Sequence, residues 1–327
     1  MNNRECNNYR KYYDNLVVIG SGIYTFVYKG REIETNELRA IKVIRLETLK
    51  NYIISANNGD PEIKLKEYKE YIDEYINECK IMKICSNINS VKYYEYFKNE
   101  NEFVIIMELC DCNLLQFLMR SNKRFFIKEI YEIMKQLNNG LKIMRENKII
   151  HKSLKLENIL IKYEDNNKYI IKLTDYESNK RAKLLYNVKY QTYLEILKYR
   201  PPEILKEGKF NYKSNLWTIG IILFNLKFLK FPFSEGGILS LIDNIVDFNN
   251  NIIEKTGNEE LDDLIKRCLE KDHEKRINWD EYFNHPFFSY FSNKINLIYY
   301  KKKEKDRYNR DNNIFGSKFV ENNKNNI

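Results

Sequence analysis

Two glycines and a short polar loop carry the first chemical signals in this chain. Gly20 and Gly22, in "GSGIYT", follow the strand-like run "LVVI". Residues without side chains let a backbone come close to a ligand, or simply close a tight hairpin. Further on, "IIHKSLKLENIL" gathers His151, Ser153, Lys155 and Asn158, and Asp175 follows in "LTDYES". The amide and the carboxylate are hard oxygen donors. Ser153 can donate and accept hydrogen bonds, but it is not a base near neutral pH. Lys42 in "RAIK" and Glu78 in "INECKIM" supply a long flexible cation and an anion able to hold it straight; taken singly, each would be a surface charge.

These residues need elements to position them. "LVVI" (16–19), "FVYK" (26–29) and "RAIKVI" read as short antiparallel strands separated by turn residues. From Asp60 and Pro61, an N-cap and a first-turn proline, apolar or aromatic residues recur at Leu65, Tyr68, Ile72, Tyr75, Ile76, Cys79 and Met82, which is helical spacing. The polar stretch Asn51 to Gly59 before it reads as an inserted loop. "FVIIMEL" reads as a strand, and Phe126, Ile130, Ile133, Met134, Leu137, Leu141 and Met144 mark a second amphipathic helix. A strand-rich first third followed by a helix-rich remainder indicates an α+β protein with two lobes.

Composition excludes several classes. With 43% hydrophobic residues in 327, the chain can bury substantial cores. Its apolar runs, such as Ile219 to Phe224, fall far short of the about 20 residues that cross a bilayer, and the opening "MNNRECNNYRKYYD" has no apolar signal-peptide core. A protein without a membrane span, working inside the cell and in the cytoplasm, is the expectation. Cysteines at 6, 79, 85, 110, 112 and 268 lack the density of a secreted disulfide framework, and Cys110 and Cys112 are too close for zinc-knuckle spacing. The net charge of +9 accompanies a general abundance of Lys, Asn, Ile and Tyr, all encoded by A- and T-rich codons, and is not read as a nucleic-acid footprint. Beyond Ser292, "KKKEKDRYNRDNN" and "ENNKNNI" hold too little apolar content to fold alone.

In their order and spacing, these motifs resemble the eukaryotic protein-kinase family, of Ser/Thr type, across about residues 12 to 291. The resemblance implies a bilobal fold, with a small β-rich N-lobe (about 12–109) containing one long helix and a larger helical C-lobe (about 110–291). Residues 1–11 would be an extension, and 292–327 a basic, disordered tail. Gly20, Gly22 and Val27 match a glycine-rich loop of the form G-x-G-x-x-G-x-V that covers ATP phosphates, with Thr25 replacing its third glycine. Lys42 would contact the phosphates and Glu78 would hold it. Met107 and Glu108 resemble the gatekeeper and first hinge residue beside the adenine, and Val27, Ala40 and Leu160 would sandwich the ring. Asn158 and Asp175 would hold Mg²⁺, with Tyr176 and Glu177 standing for the last two letters of D-F-G. "YRPPEIL", "SNLWTIG" and the closing "EKDHEKRINWDEYFNHPFF" continue the pattern, with Arg276 as the expected partner of Glu203.

The catalytic loop departs from H-R-D-L-K-x-x-N at its aspartate, which Ser153 replaces, while Lys155 is kept. Loss of a positioned base costs about 10²- to 10⁴-fold in rate, or about 3 to 5.5 kcal/mol. Ile196 stands where Ser/Thr kinases carry a threonine that bonds the aspartate and the lysine, and Lys152 replaces the arginine, losing its planar fork. A chain that keeps Lys42, Glu78, Asn158 and Asp175 but drops the base reads as a Mg-ATP-binding pseudokinase, a signalling or allosteric module with a partner protein. Two alternatives stay open. One is a slow Ser/Thr kinase using Glu177 or Glu157 as proton acceptor; the other is a different nucleotide-dependent transferase. Tyr190, Thr192 and Tyr193 are candidate phosphosites.

Overall fold

The computed structural model describes residues 8–56, 61–121, 124–165, 168–176, 190–233, 236–250 and 253–289. Five antiparallel strands form the first sheet: β1 (Tyr13–Ser21), β2 (Thr25–Glu32), β3 (Leu38–Arg45), β4 (Tyr93–Lys98) and β5 (Glu102–Glu108), in the order β1-β2-β3-β5-β4. Alternation in β3 sends Ile41 and Val43 to one face and Ala40 and Lys42 to the other. Ile41 is paired with Ile106 and Val43 with Val104. With Tyr9, Tyr13 and Phe97 these side chains make a buried cluster on that face. Burying each aliphatic or aromatic side chain contributes about 2 kcal/mol before chain entropy is counted. Asn36, at φ 60°, turns the chain from β2 into β3 in the left-handed conformation that asparagine tolerates.

Two helices follow β3. The first, α1 (Leu46–Ala56), corrects the expectation of a polar loop from Asn51 to Gly59; residues 57–60 lie outside the described residues. Its buried positions Leu46, Leu49 and Ile53 have helical spacing that begins before Asn51, so a window opened at the asparagine misses it. The long helix α2 (Pro61–Ile84) buries Tyr71, Ile72, Tyr75, Cys79 and Met82 along one stripe, with Glu78 beside it.

A small sheet, β6 (Cys112–Asn113), β7 (Ile159–Tyr163) and β8 (Tyr169–Leu173), leads into the helical part. Its helices are α3 (Leu114–Ser121), α4 (Ile127–Glu146), α5 (Tyr190–Leu197), α6 (Pro202–Glu207), α7 (Ser214–Phe228), α8 (Ile238–Val246), α9 (Glu259–Cys268) and α10 (Trp279–Phe283). α4 begins where the Glu129 carboxylate accepts a hydrogen bond from Phe126 N at 2.8 Å, satisfying an amide left open at the helix start. α7 is buried nearly all round, as its apolar sequence requires. At Gly220 a Cβ would lie 2.8 Å from the Leu269 side chain, so glycine lets α7 approach the end of α9. The two-lobed α+β organisation expected from the sequence is present.

Candidate active site

The sheet brings the first set of residues to one surface by register alone. Gly20 is paired with Val27, Val27 with Lys42, and Ala40 with Met107, while Ala40 and Lys42, two positions apart on β3, share one face. Directly opposed residues share a face of the pleat, so Gly20, Val27, Ala40, Lys42 and Met107 all look the same way. Gly22 closes the β1–β2 turn, its N–H donating to Thr25 O at 2.7 Å. Leu160 lies on β7 of the small sheet.

Lys42 joins the lobes. Its Nζ lies 3.0 Å from Glu78 Oε1 and 2.7 Å from Asp175 Oδ1, although Asp175 is 133 residues away in sequence. Glu78 is 2% exposed, and a carboxylate so buried needs such a partner. Asn158 Nδ2 donates to Ser153 O at 2.7 Å, to Ser153 Oγ at 2.9 Å and to Asp175 Oδ2 at 3.3 Å. The amide oxygen is the remaining polar atom of that side chain, whose nitrogen is held by the Asp175 carboxylate. Hard oxygens of this kind suit Mg²⁺, which binds through one or two such groups plus phosphates and water. Asp175 itself has φ 63°, a left-handed conformation that costs a residue with a Cβ about 1 kcal/mol or more.

The loop that presents Ser153 is fixed from below. Asn215 on α7 accepts from His151 N at 2.9 Å and donates to His151 O at 2.6 Å. Burial lowers the His151 pKa to about 4, so the ring is neutral at pH 7. Its Nε2 lies 3.1 Å from Thr174 O and donates to it in that tautomer. His151 thus serves the backbone around Asp175. Beyond it, a cavity of about 210 Å³ is lined by Ser153, Lys155, Asp175, Ile196, Arg200 and Phe210, among others. Among the described residues no other carboxylate lines it: Glu157 does not, and its Oε2 is buried without a hydrogen-bond partner there. Glu177 and the side chains of Tyr190 and Thr192 lie outside the described residues; Tyr193, on α5, is half-buried.

Glu108 faces somewhere the sequence does not foretell. Its carboxylate accepts from Lys162 Nζ at 2.7 Å on one oxygen and from Lys172 Nζ at 2.9 Å and Lys92 N at 3.2 Å on the other. Burial raises its pKa, but the lysine hydrogen bonds outweigh burial and hold it below the ordinary carboxylate value. The residue therefore fastens the end of β5 to β7 and β8 by its side chain. Lys172, 7% exposed, would keep Ile88 O as its one partner among the described residues if the carboxylate were removed. Glu108→Ala should cost about 2 kcal/mol in urea unfolding, the usual penalty for orphaning a buried charged donor; a change within ~0.5 kcal/mol would contradict this.

The segment after α5 is held by Glu203 and Arg276. The two guanidinium nitrogens reach the two carboxylate oxygens at 2.8 and 2.9 Å, and Ser214 Oγ donates to Glu203 Oε1 at 3.0 Å. The pair expected from the sequence is therefore present, bidentate and buried.

Comparison with known proteins agrees with this geometry. A family model described as "Protein kinase domain" matches residues 13–288. The chain is 31% identical over 279 residues to the serine/threonine-protein kinase atg1 of Dictyostelium discoideum, covering 84% of this chain and 39% of that protein. It is also 31% identical over 291 residues to calcium-dependent protein kinase 3 of Plasmodium berghei, covering 85% of this chain and 47% of that one. The chain thus spans less than half the length of either relative. A crystal structure of Rad53 in complex with AMP-PNP shares the fold, with a TM-score of 0.65 and 20% identity over 85% of this chain and 66% of that chain. The ordered motifs, the lobes they assemble and the matched family model place the chain in the protein kinase domain family.

Proposed function

We propose that this chain is a Mg-ATP-binding kinase domain impaired in phosphotransfer, a pseudokinase that acts through nucleotide-dependent contact with a partner protein. The observation that carries this reading is a divided site. Lys42, Glu78, Asn158 and Asp175 meet within hydrogen-bonding distance, whereas the position facing an acceptor hydroxyl holds Ser153, whose Oγ takes the Asn158 amide proton. In this reading Lys42 binds the phosphates, Asp175 and Asn158 hold Mg²⁺, and Gly20, Gly22, Val27, Ala40, Met107, Leu160 and the hinge at Glu108 enclose the nucleotide. The cation neutralises phosphate charge when bound; the chain's own residues orient it. A slow Ser/Thr kinase is the second reading, favoured by the formed Lys42–Glu78 pair and by Lys155 beside Ser153.

Millimolar Mg-ATP should raise the melting temperature, because a ligand bound only to the native state stabilises it by mass action; at 100 times Kd the gain is about 2.7 kcal/mol. Asp175→Ala should remove the Mg²⁺-dependent part of that shift. Absence of any shift or binding heat with wild type would leave a scaffold without nucleotide and overturn the reading.

A further inference from the structure

The backbone around Asp175 is fastened on several sides, and one fastening belongs to this chain's own departure from the family pattern. Tyr176 replaces the phenylalanine of D-F-G and is 2% exposed. Its ring lies 5.1 Å from that of His151, filling the space a phenylalanine would fill. Its hydroxyl does something a phenylalanine could not: it donates to Ser90 Oγ at 3.1 Å. Ser90 Oγ also accepts from Asn87 Nδ2 at 2.9 Å. Both belong to the loop that leaves α2, the helix carrying Glu78. That loop is stitched to β8 as well, through Leu173 N to Asn89 O at 2.9 Å, Val91 N to Leu173 O at 2.8 Å and Asn89 Nδ2 to Ile171 O at 2.9 Å.

We propose that the Tyr176 hydroxyl and Ser90 form a latch that positions Asp175 for a metal-bound nucleotide, Tyr176 acting as a positioning residue. The inference rests on the nucleotide-binding reading above. Asp175 occupies a left-handed conformation that the local chain does not favour, so its neighbours must hold it there. Withdrawing the Tyr176 ring would strip a buried hydroxyl of its partner, which opposes the rearrangement that would release Asp175. The latch also ends on the loop of the Glu78 helix. It therefore fixes together the two carboxylates that share the Lys42 ammonium, at 3.0 and 2.7 Å.

Tyr176→Phe is a clean test. The ring remains, and Ser90 Oγ keeps Asn87 as a partner, so no polar group is orphaned. Hydrogen exchange of the Leu173 and Thr174 amides, bonded to Asn89 O and Asn158 O, is read in the ligand-free full chain. ATP affinity is then titrated with and without Mg²⁺. Losing one net hydrogen bond shifts a local equilibrium about five-fold. Tyr176→Phe and Ser90→Ala should each speed exchange at those amides and weaken Mg-ATP by about that factor. Mg²⁺-free ATP affinity and exchange in α9 should not change. The double variant should be no worse than Ser90→Ala, which already removes both the Tyr176 and the Asn87 bonds to Ser90 Oγ. Unchanged exchange in Tyr176→Phe, with Mg-ATP bound as before, overturns the latch alone. Additive effects, or equal acceleration in α9, also overturn it by showing independent or global destabilisation. Failure of wild type to bind Mg-ATP overturns the nucleotide reading and the latch's purpose with it.

Discussion

Ser153→Asp combined with Ile196→Thr will transfer phosphate at least ~100-fold faster than wild type, if a restored base supplies its usual share. Ser153 and Ile196 line the same cavity, so the two changes act on one spot. An aspartate at 153 can accept the hydrogen bond that Asn158 Nδ2 now gives to Ser153 Oγ. The threonine hydroxyl would supply the second bond that an isoleucine cannot make, reaching the new carboxylate or Lys155. Either change alone is therefore expected to recover only part of the rate. The pair should exceed the sum of the singles in free energy, because members of one hydrogen-bonded unit are not additive. Single-turnover rates for the four proteins decide the matter. A double variant no faster than wild type would place the defect elsewhere.

Breaking the Glu203–Arg276 pair is expected to be the most damaging stability change. The side chains are 3% and 0% exposed. Removing one partner leaves the other charge buried, which costs about 3–5 kcal/mol. That is a large share of the about 5–15 kcal/mol that holds a domain folded. Urea unfolding of Glu203→Gln, which keeps the shape and one hydrogen-bond acceptor, should show a smaller loss than Glu203→Ala. A loss below ~1 kcal/mol for the alanine variant would refute the structural role.

Acid should weaken the same region. Burial raises the Glu203 pKa, but the Arg276 hydrogen bonds and charge, with Ser214, outweigh it and leave the carboxyl below its ordinary 4.5. Its stabilising contribution is thus present above about pH 4.5 and is lost as pH falls through the depressed folded value. His151 acts in the same direction over a higher range. The unfolded ring titrates near 6.5 and the buried ring at about 4, so the unfolded state binds more protons between those values. Stability should therefore decline as pH drops from about 6.5 toward about 4.

Much of this site was legible because its residues sit in short motifs whose spacing survives without any knowledge of the fold. The 36-residue separation of Lys42 and Glu78 exceeds what the family pattern needs, yet the ion pair is there at 3.0 Å. The insertion responsible is visible in the sequence but its conformation is not: a loop reading of Asn51 to Gly59 starts inside α1, after Leu46 and Leu49 have begun the stripe that Ile53 continues. Strand β4 also went unread, since "YYEYFK" alternates weakly and gains its order by pairing with β5. The lysine side chains that hold Glu108 and the serine that takes the Tyr176 hydroxyl lie 54 to 86 residues away on other elements. Nothing in local periodicity marks such contacts. Tyrosine in place of phenylalanine at 176 was a visible signal, but its meaning depended on Ser90 arriving opposite it.

The central claim is most directly tested by following transfer of the labelled γ-phosphate from saturating Mg-ATP by wild type, beside Asp175→Ala. Wild type is expected to bind the nucleotide and to transfer its γ-phosphate, releasing ADP, ~10²- to 10⁴-fold more slowly than a kinase with its base in place. Transfer by wild type at about 1–100 s⁻¹, the usual kinase range, together with its loss in Asp175→Ala, would contradict the account and make Ser153 part of a working active site.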